Sequence, residues 1–149
     1  MAEEQRPKDA ENALRAAVKA DPQMPAAAFN LGVLCGEAKI DEAVQWCRKA
    51  HELEPSNAKY AHTLAFFLRE KGELDRAIEV LRDLIGRKTY ELDAYLLLGE
   101  IHESRGDMNE AASVYRQALG IPGLPTEIQS QLGAKLRNLT PLQPGQQSP

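Results

Sequence analysis

The chain has 149 residues, 43% hydrophobic and 27% charged but only 5% aromatic, so it can bury a core, built mainly from Leu, Ala, Ile and Val. Its 18 Lys and Arg against 22 Asp and Glu leave a net charge of −4. That leaves no positive surplus for phosphates and argues against nucleic acid as a partner. The longest apolar runs, Leu64–Leu68 and Tyr95–Leu98, are far too short to span a bilayer. The polar start Met1–Lys8 lacks the apolar stretch of a secretory signal. A cytoplasmic location without membrane contact is therefore expected, unless the chain is a piece of something longer.

Residues 1–7 are expected to be a disordered N-terminus. A helix follows over 8–20, carrying Ala10, Leu14 and Ala17 on one face and closed by Pro22. The next helix, 25–36, opens on Pro25, a residue suited to a first helical position. Ala28, Leu31, Gly32 and Cys35 then recur at i, i+3, i+4 and i+7. Helix 41–53 repeats the pattern with Ala43, Cys47 and Ala50 and is closed by Pro55. Helices 58–70 and 74–86 are joined by a tight turn at Gly72, and helices 92–104 and 108–119 by one at Gly106. Pro122 and Pro125 mark the last link. Helix 126–137 begins with Thr126-Glu127-Ile128-Gln129, a capping-box pattern, and sets Ile128, Leu132 and Leu136 on one face. Residues 140–149, rich in Pro, Gln and Gly, are expected to be a disordered tail. No segment alternates as a strand does, so the chain reads as all-α.

These helices repeat. Ala10, Ala43, Ala77 and Ala111 recur at spacings of 33, 34 and 34 residues. Leu14, Cys47, Leu81 and Tyr115 keep the same period, as do Ala17, Ala50, Leu84 and Ala118, and the pairs Leu31-Gly32, Leu64-Ala65 and Leu98-Gly99. Gly32, Ala65 and Gly99 are small where two helices of a pair would cross closely, with Ala43, Ala77 and Ala111 as their small partners. Leu and Tyr residues of the other registers would fill the space between layers.

A period near 34 residues with paired helices resembles the tetratricopeptide repeat (TPR) family. Tyr95-Leu-Leu-Leu-Gly99, Gly106-Asp107, Glu110-Ala111, Tyr115 and Ala118 carry the likeness most clearly. Leu31-Gly32, Glu42-Ala43, Ala50 and Pro55 carry it well, though the turn between that pair of helices looks one residue short. The middle repeat departs from the pattern at Leu84 and Thr89. The resemblance covers about residues 9–125. It implies a right-handed α-solenoid of stacked antiparallel helix pairs, with a half repeat at 8–24, repeats at 25–57, 58–91 and 92–125, and a capping helix at 126–139. The half repeat reads either as an unusual cap or as a cut from a longer array.

In that family the first helix of each repeat lines the concave face. The resemblance therefore implies groove positions at Ala26, Phe29, Val33 and Glu37, then Lys59, His62, Phe66 and Arg69, then Asp93, Leu96, Glu100 and Glu103. Phe29, Val33, Phe66 and Leu96 would form an apolar strip, basic charges flanking it in the middle repeat and acidic charges in the last. Such a groove suits a helix or extended peptide with apolar anchors and a basic end. Alternatively, these residues pack on missing repeats or on one another, Phe29 above all. The family's carboxylate clamp for acidic chaperone tails has no counterpart, because its slots hold Phe29, Val33, Thr63, Asp93 and Leu97.

The function expected is a non-catalytic interaction scaffold. The alternative is a structural or oligomerisation module of a larger protein, self-associating through helix 8–20. No catalytic, cofactor or metal site is expected. Cys35 and Cys47 lie on apolar helical faces without C-x-x-C spacing and read as buried reduced thiols. His51, His62 and His102 form no catalytic motif, and His102 reads as a hydrogen-bonded core histidine. Arg105-Gly106-Asp107 spells an adhesion motif but falls at an ordinary interhelix turn.

Overall fold

The computed structural model describes residues 2–139, with side chains from Gln5 onward. The expected tail at 140–149 lies outside the described residues. Eight α-helices make up nearly all of the described chain: α1 Ala2–Ala20, α2 Pro25–Cys35, α3 Ile40–Leu53, α4 Ala58–Lys71, α5 Leu74–Gly86, α6 Leu92–Ser104, α7 Met108–Leu119 and α8 Thr126–Leu139. A 3₁₀ turn, Glu37–Lys39, links α2 to α3, and no strand occurs among the described residues. No helix among them is long and apolar enough to cross a membrane.

The chain divides into two compact units, Met1–Arg87 and Lys88–Pro149. In the first, α1 packs on α2, α2 pairs with α3, α3 meets α4, and α4 pairs with α5. In the second, α6 pairs with α7, and α7 carries α8. Ala43, Ala77 and Ala111 are wholly buried, as the close crossing of paired helices demands. Leu31, Leu64 and Leu81 fill the first unit around them, and Ile101, Tyr115 and Leu132 the second. Apolar burial of this kind, about 1.5–3 kcal/mol for each large side chain, is what holds short helices that would be marginal alone.

The pair turns are built alike. Gly72 and Gly106 take left-handed backbone, φ +90° and +83°. They let Glu73 N–H reach back to Leu68 O (2.8 Å) and Asp107 N–H to His102 O (2.9 Å), closing the orphan carbonyls of α4 and α6. At the start of α4, the Asn57 side chain accepts from Tyr60 N–H (3.2 Å), a side-chain N-cap.

Four local expectations are corrected. Residues 2–7, read as disordered, are helical: α1 starts at Ala2 and contains Pro7. Proline's fixed φ suits a helix, and so near the end it forgoes one hydrogen bond in a stretch where Gln5–Ala10 are exposed. Ala10 therefore faces solvent rather than a crossing partner. The turn between α2 and α3 is not merely short but is a 3₁₀ segment entered through Gly36 at φ +55°. Finally, Thr126 is already helical: Gln129 N–H donates to Pro125 O (3.0 Å) and the Gln129 amide to Leu124 O (2.7 Å), in place of a capping box.

Candidate functional site

Of the first-repeat candidates, Ala26 on α2 and Glu37 in the 3₁₀ turn are exposed, and Val33 on α2 is 46% exposed. Phe29 is not available: it is only 6% exposed. Its ring meets Tyr60 at 4.8 Å, within a cluster of Ala28, Ala50 and Tyr60 against which Trp46 packs. Phe29 thus packs inside its own unit. Lys59 Nζ stands 4.9 Å above the same ring, closing it off with a cation–π contact.

On α4, Lys59, His62, Phe66 and Arg69 lie at i, i+3, i+7 and i+10 and share one side of the helix. Lys59 is exposed, and the other three are half-buried. Phe66 meets Phe67 edge-on at 5.5 Å, and the Arg69 guanidinium lies 5.1 Å from the Phe66 ring. Arg69 also reaches Glu70 at 3.3 Å. The resulting surface is an aromatic face edged by cations.

In the second unit, α6 exposes Asp93 and Glu100 and half-exposes Leu96. Glu103 is engaged inside its own unit. It accepts a hydrogen bond from the Tyr115 hydroxyl and lies 4.0 Å from Lys135 Nζ, while Lys135 sits 5.3 Å from the Tyr115 ring. Burial, with Glu103 alongside, pushes the Tyr115 phenol well above its ordinary range, so it stays a hydrogen-bond donor. Glu103 thus ties α6 to α7 and α8.

Cys35 and Cys47 are buried, and burial pushes the Cys47 thiol up to about 12, which keeps it from acting as a thiolate. His102 faces inward, 3% exposed, but neither ring nitrogen has a hydrogen-bond partner. The Asp107 carboxylate stands 3.7 Å from Nδ1, too far for a hydrogen bond, so the expected one is absent. Asp107 also pairs with Arg105 at 3.4 Å, which occupies the Arg-Gly-Asp string in its own turn. Among the described residues no cluster of His, Cys, Asp and Glu could hold a metal ion. A feature the periodicity gave no sign of is a cleft between α3 and α5, lined by Arg48, Arg76, Glu79 and Val80 over Leu64 and Leu68.

Comparison with known proteins agrees with this architecture. The family model described as "Anaphase-promoting complex, cyclosome, subunit 3" matches residues 36–118, and a tetratricopeptide repeat model matches residues 2–58. The TPR repeat-containing protein MJ0940 of Methanocaldococcus jannaschii is 35% identical over 81 residues, 54% of this chain and 25% of that protein. Human tetratricopeptide repeat protein 7A is 28% identical over 96 residues, 62% of this chain and 11% of that protein. The chain thus spans a quarter or less of the length of these relatives. A crystal structure of MamA superposes with a TM-score of 0.71 at 23% identity, over 87% of this chain and 79% of that one. The chain belongs to the tetratricopeptide repeat family. Proteins of this fold serve in general as non-catalytic scaffolds for protein–protein interaction.

Proposed function

We propose that this chain binds a segment of a partner protein on the first-helix faces of its first unit, α2 and α4, with the α4 side as the main contact. The observation that carries the reading is the stripe Lys59–His62–Phe66–Arg69, an accessible aromatic edge flanked by cations, with Val33 of the same unit 46% exposed on α2. An apolar side chain of the partner would rest on Phe66, and acidic neighbours would meet Lys59. Within the second unit, taken by itself, Asp93 and Glu100 beside Leu96 give α6 a face that would favour basic residues. The reading rests on the family's general role and on these side chains, not on Phe29 or Glu103, which serve packing.

The experiment is affinity capture from the native host with wild-type chain and Phe66→Glu, read by mass spectrometry beside circular dichroism. Partners retained by the wild type and lost by the variant at unchanged helicity are expected. An identical set of partners on both would reject the α4 face. Self-association through α1, the alternative role, finds less support: α1 buries Val18, and none of its described exposed side chains is a large hydrophobe.

A further inference from the structure

The side of α4 turned away from the Phe66 stripe carries a second feature. Leu64 and Leu68 are set about 200° around the helix from His62 and Phe66, two residues at about 100° each. They form the floor of a cleft of about 250 Å³, walled by Arg48 of α3 and by Arg76, Glu79 and Val80 of α5. The floor and Val80 are apolar. Arg76 has Glu73 as its ion-pair partner, at 3.2 Å, and Arg48 has no ion pair among the described residues. A guanidinium without a carboxylate, poised over an apolar floor, is complementary to a ligand that offers an apolar group and an acid together.

We propose that this cleft is a second docking site, taking a partner-protein segment in which one bulky apolar side chain is flanked by a carboxylate. The apolar side chain seats over Leu64, Leu68 and Val80, and the carboxylate pairs with Arg48 and Arg76. The volume suits one large side chain rather than a whole helix, which makes the site a pocket for a single anchor. Glu79 lies in the same wall and opposes an acidic ligand, so it sets the affinity low and gives the proposal a signed test. The site is independent of the Phe66 face, since the two lie on opposite sides of α4.

The test uses the full chain with methyl-labelled Leu and Val, titrated with the peptide acetyl-Glu-Leu-Phe-Glu-amide and its Gln-Leu-Phe-Gln counterpart. Saturable shifts at the Leu64, Leu68 and Val80 methyls are expected with the acidic peptide and much weaker ones with the neutral peptide. Arg48→Gln and Arg76→Gln should each weaken binding about fivefold, the upper range for an exposed ion pair. Glu79→Gln should tighten it about twofold by removing a like charge, and Phe66→Glu should leave it unchanged. These are surface substitutions, and circular dichroism confirms the fold of each variant. Equal binding of the two peptides overturns the proposal, as does an absence of saturable shifts at these methyls. So does binding lost in Phe66→Glu but kept in Arg48→Gln. Methyl shifts that grow with protein concentration alone would make the occupant a second copy, and saturation by decanoate without any by the peptide would make it a lipid-like acid. Either result overturns the partner-segment reading.

Discussion

The pairs α2–α3 and α6–α7 solve the same close-crossing problem with different atoms. Each has a glycine at the equivalent register, Gly32 in one and Gly99 in the other. A Cβ at Gly32 would lie 2.6 Å from Cys47 Sγ, but also 3.1 Å from Ala43 O and 3.1 Å from Cys47 N, so it is the facing backbone that comes close. A Cβ at Gly99 would overlap the Tyr115 ring at Cε1, Cζ and the hydroxyl, all side-chain atoms. In the first unit glycine lets two main chains approach. In the second it makes room for one large ring, whose hydroxyl then binds Glu103 and whose face carries Lys135. A repeat motif therefore fixes where space is needed and leaves open what fills it.

The largest effect expected from breaking this difference is that of Tyr115→Ala. The ring is wholly buried, and its loss removes a core side chain, a hydrogen bond and the seat of Lys135, for about 3–5 kcal/mol. Native-state hydrogen exchange should show amides of α6, α7 and α8 losing protection together while those of α2 and α3 keep theirs. Equal loss in both units would mean that Tyr115 is no local keystone.

The glycines sharpen the comparison. Gly32→Ala and Gly99→Ala should each cost about 1–3 kcal/mol through overpacking. Their double-mutant cycles should differ. In a Tyr115→Leu background the obstacle at Gly99 is gone, so Gly99→Ala should become neutral or stabilise by up to about 1 kcal/mol through helix propensity. In a Cys47→Ala background the backbone atoms facing Gly32 remain, and Gly32→Ala should stay destabilising. Chemical denaturation of the four single and two double variants reads the outcome. Full rescue at Gly32 would show that Sγ, not the main chain, sets that crossing.

Much of this was legible in the sequence because a repeat samples the same constraint several times. The alanines at 43, 77 and 111 and the leucines beside them kept their period because each crossing tolerates only small atoms. The helix spans 92–104 and 108–119 agree with α6 and α7 for that reason. The ends were harder to read. Ala10 keeps the period yet faces solvent, since periodicity records a register and not whether a neighbour is there to use it. α1 packs on α2, burying Val18, and is joined to the neighbouring segments by charges as well: Arg15 bridges Glu11 (2.6 Å) and Glu42 (2.9 Å), and Lys39 reaches Glu11 (2.9 Å). No hydrophobic pattern announces such a network. The candidate surface was legible as a stripe but not residue by residue. Phe29 and Phe66 belong to the same expected face but stand one helical turn apart in the repeat, and only the presence of Tyr60 and Lys59 over the first decides that it is core. Glu103 likewise reads as a groove acid until Tyr115 is seen to claim it. Arg48 and Arg76 lie on different helices, and no spacing rule brings them to one cleft.

The smallest expected effect is a pH dependence confined to the first unit. His51 on α3 is half-buried, and its Nδ1 is buried without a hydrogen-bond partner. Burial pushes its pKa below the ordinary value of 6.5, Asp83 and Glu52 pull it up, and Arg87 pushes it down. Arg87 is itself engaged with Asp83 at 2.9 Å, which blunts the pull of that carboxylate. The unfolded chain therefore binds a proton more readily than the folded one, and stability must rise with pH across this window. The contribution is present above 6.5 and is lost as the pH falls below it toward the folded value. Thermal melts between pH 7.5 and 5.5 should fall with acid in the wild type and fall less in His51→Gln. The Glu11 carboxyl, held low by Lys39 and Arg15, titrates below its ordinary 4.5 and stays outside this range. Exchange at α3 amides should track the change while α7 amides do not. A slope unaltered by His51→Gln would assign the proton to another group, and a slope of opposite sign would mean that Asp83 outweighs burial at this site.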